Sequence, residues 1–271
     1  MRSQGLAHVI DLHCHILPGI DDGATEIGES LALARVFADE GGRTVAATPH
    51  LRSDHPGVIP AELAERCRSL NEFLTKEGVP IRVVAGGEVD LLWAQSASSE
   101  EIALASYGQR GTDLLVETPY GPLPPAFEEL LFKLQREGFR ILLAHPERNA
   151  SLQRDPRRIG ELTRNGVLIQ VTASSLVREG RRSRLARLAR ALVEDGMAHV
   201  IASDTHSLAG PERASLAQGL AAAGRIAPAR SSWMVTEVPQ AILAGEPLPP
   251  APEDRPTLGR RLRRGLSAAR L

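Results

Sequence analysis

Five consecutive residues, Asp11-Leu12-His13-Cys14-His15, place two imidazoles two positions apart at the end of a short apolar run. On an extended strand alternate side chains share a face, so His13 and His15 point one way and Cys14 the other. Two imidazoles on one face can share a metal ion. Asp11 is placed to orient one of them through a hydrogen bond. An isolated H-x-H carries little weight, but this one has company. Asp21-Asp22-Gly23 follows directly as a carboxylate-bearing turn, and later apolar runs end in Thr48-Pro49-His50, Gly86-Gly87-Glu88, Glu117-Thr118-Pro119, His145-Pro146-Glu147-Arg148 and Asp204-Thr205-His206.

His13, His15, Asp22, His50, Glu88, Glu117, His145, Asp204 and His206 thus form a set of nine candidate metal ligands. Imidazole with carboxylate, and no thiolate, suits Mn, Fe or Zn. The number of donors exceeds the need of one ion and suggests two or three. Such a centre activates water near neutral pH and clamps the oxygens of a phosphoryl displacement. Arg148, three residues after His145, can grip a phosphate oxygen pair; its competing use is a salt bridge, with Glu147 the nearest acid. Arg213 is a second, weaker phosphate-binding candidate. The loop of a cysteine phosphatase needs an arginine six positions after its cysteine, whereas Cys14 and Cys67 are followed there by Ile20 and Phe73. No Walker-type phosphate loop and no G-x-S-x-G elbow occurs. The expected nucleophile is therefore metal-activated water.

These groups need elements to position them. Apolar runs at 8–12, 43–48, 81–85, 112–116, 140–144, 167–171 and 199–202 read as strands, with 232–236 as one more. Between them, 25–40, 60–77, 91–104, 125–137, 156–165, 183–195 and 211–226 read as helices; Leu63, Cys67, Leu70 and Leu74 show the helical spacing of a buried face. Strand-then-helix alternation argues for a mostly parallel sheet, open or closed. In a closed parallel barrel the strand ends meet on one face, where chemistry is carried out.

The 271 residues suit a single α/β barrel, and with only 3% aromatic residues the core must be aliphatic. The formal net charge of −1 points to neither nucleic acid nor membrane as a partner. Two cysteines make no disulfide framework. The first residues carry no cleavage-site pattern, and no stretch approaches bilayer-spanning length, so the expectation is a cytoplasmic, non-transmembrane protein. Residues 1–245 are expected to form the catalytic unit and 246–271 a proline-rich, then basic tail. A solvated end is the plain reading of that tail; docking near an anionic membrane surface or an acidic partner is the sharper one.

The segments DLHCHILPGIDDGA, ATPHL, GGEV, ETPY, AHPER and ASDTHS, in this order from Asp11 to Ser207, resemble the PHP (polymerase and histidinol phosphatase) superfamily, and within it the CpsB/CapC-type bacterial tyrosine-protein phosphatases of capsule and exopolysaccharide loci. The resemblance implies a distorted (β/α)7 barrel, usually loaded with manganese, that removes phosphate from phosphotyrosine on a bacterial tyrosine kinase. It implies that His13 and His15 with Asp204 bind one ion, that Glu88 bridges two, that Glu117 and His145 bind the second, and that Asp22, His50 and His206 hold the third. Asp22 is preferred to Asp21 because the family's ligand directly precedes the glycine. Arg148 matches the arginine of the family's HPER motif. Ser207 stands where the family often has Asn, and Arg213 lies slightly further along than the family's second arginine. Alternative readings are a small-molecule phosphoesterase of the same fold, acting on histidinol phosphate or a nucleotide, and a metal-dependent amidohydrolase. The amidohydrolase commonly carries a bridging lysine where this chain has Glu88 and Glu117. The sequence leaves the oligomeric state open.

Overall fold

The computed structural model describes residues 8–177, 183–209 and 215–254. Nine strand segments run through them: β1 (Val9–Cys14), β2 (Gly42–Ala47), β3 (His50–Leu51), β4 (Arg82–Ala85), β5 (Glu88–Val89), β6 (Asp113–Val116), β7 (Arg140–Leu143), β8 (Leu168–Thr172) and β9 (Val200–Ala202). Every pairing is parallel: β1 with β2 and β2 with β4, then β3 with β5, and onward through β6, β7 and β8 to β9. β3 continues β2 after Thr48-Pro49, and β5 continues β4 after Gly86-Gly87, so the nine segments fill seven positions.

The two edges of this array meet. Beyond β9, the Asp204 N–H donates to the His13 carbonyl (2.8 Å) and the His15 N–H to the Thr205 carbonyl (3.0 Å), which lays the end of β9 against the end of β1. At the other end the two strands diverge, and residues 232–235 fill the gap as a turn. The Val235 carbonyl accepts from Ile10 N–H (2.8 Å) and the Met234 carbonyl from Ile201 N–H (3.2 Å). The eighth strand expected at 232–236 is therefore a plug: its apolar residues Trp233, Met234 and Val235 are buried beneath the barrel rather than paired in a ladder. Tyr107 makes a second irregularity. Fully buried, it sends its hydroxyl to the Leu12 carbonyl (2.8 Å), where the β1–β2 register slips.

Helices form the outer layer. Leu63–Lys76 buries Leu63, Cys67, Leu70 and Leu74, as their spacing requires. The helix expected over 91–104 is two, Leu91–Ser96 and Ser99–Ala105, because Ser98 and Glu101 form a capping box that starts the second. Glu237–Ala244, unanticipated, follows the plug and ends at Gly245 in the left-handed conformation. Residues 246–254 then lie along the barrel. Arg140 Nη1 donates to the Glu246 carbonyl (2.7 Å), and Asp254 pairs with Arg230 (2.7 Å). The tail arginines from Arg255 onward, and Arg213, lie outside the described residues.

Candidate metal centre

The C-terminal ends of the strands converge on Glu88. Its Oε2 lies 3.3 Å from His13 Nε2, 3.6 Å from His15 Nε2 and 3.0 Å from His50 Nδ1, and its Oε1 lies 2.9 Å from His145 Nε2. Asp204 Oδ1 sits 3.2 Å from His13 Nε2 and 3.6 Å from His15 Nε2. Asp22 Oδ1 is 3.4 Å from both His50 Nε2 and His206 Nε2. Glu117 Oε2 is 3.9 Å from His50 Nδ1. All nine sequence candidates thus share one pocket. Their donor atoms fall into four close sets: His15 with Asp22, His50 and His206; His13 with His15 and Glu88; His13 with His145 and Asp204; and His50 with Glu88 and Glu117.

Two of the imidazoles have their outer nitrogens committed. His13 Nδ1 meets Gln170 Oε1 (3.0 Å) and His15 Nδ1 meets Asp21 Oδ2 (2.7 Å). Each partner accepts the Nδ1 proton, which leaves both Nε2 lone pairs facing inward, 3.3 Å apart. Asp21 also accepts from the N–H groups of Gly23 (3.0 Å) and His50 (3.1 Å). The adjacent aspartates therefore divide the work: Asp21 holds His15 and the turn, while Asp22, half exposed, faces His50 and His206. Gly23 permits this turn, since a Cβ there would stand 2.2 Å from the His15 carbonyl oxygen.

Asp11 departs from its expected role. Its Oδ1 accepts from the N–H groups of His13 (3.2 Å) and Ser203 (3.0 Å), so it pins the backbone of β1 to the end of β9 and touches no imidazole. Burial raises its pKa to about 6. Arg148 pairs with Asp204 Oδ2 (2.7 Å) rather than with Glu147, whose Oε1 accepts from the Thr172 N–H (3.0 Å). Gln170, Arg52 and Asn149 are further residues of the site's surroundings. Gln170 is foreshadowed only by being polar inside the apolar run Leu168–Val171. Arg52 Nη1 reaches Glu117 Oε1 (2.9 Å), a contact between strand ends far apart in sequence that no local pattern reveals.

Two candidate ligand positions bend the backbone. His145 (φ 36°) and Asp204 (φ 53°) both occupy the left-handed region, which costs a side-chain-bearing residue about 1–3 kcal/mol. Each stands just beyond the end of a strand, β7 and β9, with its side chain in the pocket.

Electrostatics fits a cation at this place. Burial would lower the pKa of His13, but Glu88 and Asp204 override it and raise it to about 9. Burial opposes ionisation of Glu88 too, yet His13, His145 and His15 hold its pKa well below the usual range. Glu117, buried and facing Glu88, is pushed up to about 8. Glu88 Oε2 and Glu117 Oε2 are both buried without a hydrogen bond among the described residues. Buried carboxylate oxygens are ordinarily satisfied. Two such oxygens beside inward-facing imidazole nitrogens make a donor set that divalent ions complete.

The model of a family described as capsular polysaccharide synthesis, CpsB/CapC, matches residues 9–222. The chain belongs to the CpsB/CapC family. The tyrosine-protein phosphatase YwqE of Bacillus subtilis is 34% identical over 74% of this chain and 78% of its own length. CpsB/CapC relatives further off include the tyrosine-protein phosphatase CpsB of Streptococcus agalactiae, 24% identical over 74% of this chain and 84% of its own. Crystal structures of YwqE and of CpsB from Streptococcus pneumoniae, described as unique metal-dependent tyrosine phosphatases, supply a chain that superposes with a TM-score of 0.77 at 31% identity, over 91% of this chain and 100% of that one. An amidohydrolase from Mycoplasma synoviae, 13% identical with a TM-score of 0.54 over 97% of this chain and 95% of its own, shares the fold of this CpsB/CapC member and nothing more. No helix among the described residues is long and apolar enough to cross a membrane.

Proposed function

We propose that this chain is a metal-dependent tyrosine-protein phosphatase that hydrolyses phosphotyrosine on a bacterial tyrosine kinase controlling capsule or exopolysaccharide synthesis, in the cytoplasm. The observation that carries this reading is the convergence on Glu88 of imidazoles and carboxylates from six strand ends, with buried oxygens left for cations. The family membership and the activity named for its relatives support it.

Two or three divalent ions, with manganese as the native metal, would supply an acidified water and neutralise phosphoryl oxygens. The nine donors would hold them, with Glu88 shared between two. The protein's own part is orientation. Gln170 and Asp21 fix the imidazole tautomers of His13 and His15. Arg148, now paired with Asp204, is placed to exchange part of that contact for a phosphate oxygen pair. Arg213 is proposed as its companion. Residues 1–245 form the catalytic unit in this reading, and 246–271 the proline-rich, then basic tail, a solvated end.

Metal analysis coupled to turnover of a phosphotyrosine peptide, with histidinol phosphate as the competing substrate, tests the proposal. Two or more bound ions and preference for the peptide are expected. Preference for histidinol phosphate would move the chain to small-molecule chemistry. Bound metal without hydrolysis of either substrate would sink the phosphatase reading.

A further inference from the structure

The chain has two tyrosines, and they have opposite fates. Tyr107 is buried in the barrel with its hydroxyl bonded. Tyr120 is 65% exposed, in the loop that follows Glu117, and its ring lies over His145 with centroids 6.5 Å apart and planes inclined by 30°. Of the five large hydrophobic residues exposed among the described residues, Ile27, Val36, Ile59, Leu92 and Tyr120, only Tyr120 makes a ring contact with a pocket histidine.

The loop is held in place. Asn149, 1% exposed and directly after Arg148, donates through Nδ2 to the carbonyls of Pro119 (2.6 Å) and Gly121 (3.0 Å), the residues that bracket Tyr120. Its Oδ1 accepts from the N–H groups of Ser151 (2.8 Å) and Leu152 (3.2 Å). One buried amide therefore fixes the position of the aromatic relative to Arg148 and His145. An exposed aromatic on an anchored loop at the mouth of a charged pocket offers a flat apolar face next to the anion site.

We propose that Tyr120 is a specificity-determining residue: its ring forms one wall of the leaving-group subsite and stacks on an aryl group, favouring aryl over alkyl phosphates. Aromatic pairs prefer offset or tilted packing, which an exposed ring anchored on one side accommodates. The inference rests on the phosphatase reading for its substrate class, but its test does not require turnover.

Calorimetric titration of the manganese-loaded full chain with phenylphosphonate and with methylphosphonate, neither of them hydrolysable, isolates the subsite. The wild type should bind the phenyl compound more tightly. Tyr120→Ala should weaken phenylphosphonate binding about three- to tenfold and leave methylphosphonate within about twofold, whereas Tyr120→Phe should keep the wild-type selectivity. Equal weakening of both ligands, unchanged phenylphosphonate affinity in Tyr120→Ala, or no phenylphosphonate binding to the wild type would each overturn the assignment. Phosphotyrosine-peptide turnover measured on the same preparations separates the two claims. Tyr120-dependent phenyl selectivity without hydrolysis refutes the phosphatase and keeps the aromatic wall; hydrolysis without that dependence does the reverse.

Discussion

Two of the places where the molecule buries opposite charges are finished differently. Where residues 246–254 meet the barrel, Arg230 gives Nε to Asp254 Oδ2 (2.7 Å) and Nη2 to the Val193 carbonyl (2.8 Å), while Asp254 Oδ1 accepts from the Ala229 N–H (2.7 Å). Both side chains are largely buried, and their contacts close on one another. In the pocket, oxygens of Glu88 and Glu117 are more deeply hidden yet lack a hydrogen-bonding partner among the described residues. A buried ion pair that holds a fold together tends to use up its donors and acceptors, because each one left over costs free energy. A buried cluster that sets such oxygens beside inward-facing imidazole nitrogens is a donor set that a cation completes.

The largest effect expected from breaking this contrast is at the closed pair. Arg230→Ala strands the Asp254 carboxylate and should lower stability by about 3–5 kcal/mol in urea denaturation, while metal content per folded molecule stays at the wild-type value. Loss of metal from that variant would show the two regions to be one unit. The converse change is His145→Ala. It should reduce phosphotyrosine-peptide turnover by about a hundredfold or more, yet leave the melting temperature in place or raise it, since the pocket loses a crowded side chain. A fully active His145→Ala protein would remove that residue from the site.

Histidines sharpen the comparison further. His13 is raised to about 9, whereas His199, less deeply buried and facing Trp233, the Ile169 N–H and the field of Arg230, is lowered to about 4, chiefly by burial. Between pH 6.5 and 4 the unfolded chain accepts a proton that folded His199 refuses, so stability falls as pH drops through that window, by up to about 3 kcal/mol. His199→Gln should flatten that part of the curve in denaturation at pH 7 and pH 4.5; an unchanged slope would assign it to other groups. The smallest expected effect is at Asp21. Asp21→Asn keeps its size but weakens its hold on the His15 proton, and should loosen metal binding about tenfold in a chelator competition. Wild-type affinity in that variant would mean that Asp21 serves the turn alone.

How far the sequence reveals this centre follows from where its information lies. Most of the nine pocket residues are legible because they come at or just after the end of an apolar run, and parallel strands bring such ends together. Asp21 and Asp22 are adjacent carboxylates before a glycine, and only the fold shows that one faces His15 and the other His50 and His206. Gln170, Arg52 and Asn149 are illegible for a related reason: their partners lie on other strand ends, 157, 65 and 30 residues away. Asp11 escapes the sequence pattern because a carboxylate two residues before a histidine satisfies a backbone N–H as readily as an imidazole. At 232–236 apolar composition matched a strand equally well, but seven positions already close the ring, and the remaining hydrophobic residues seal its base.

The left-handed backbone at His145 and Asp204 sets the fold against its own chemistry. Glycine at either position would relax the main chain while emptying a corner of the pocket. A lineage that ceased to need the reaction would therefore find a more stable protein one substitution away. These two residues are where decay of the enzyme into an inert barrel should begin.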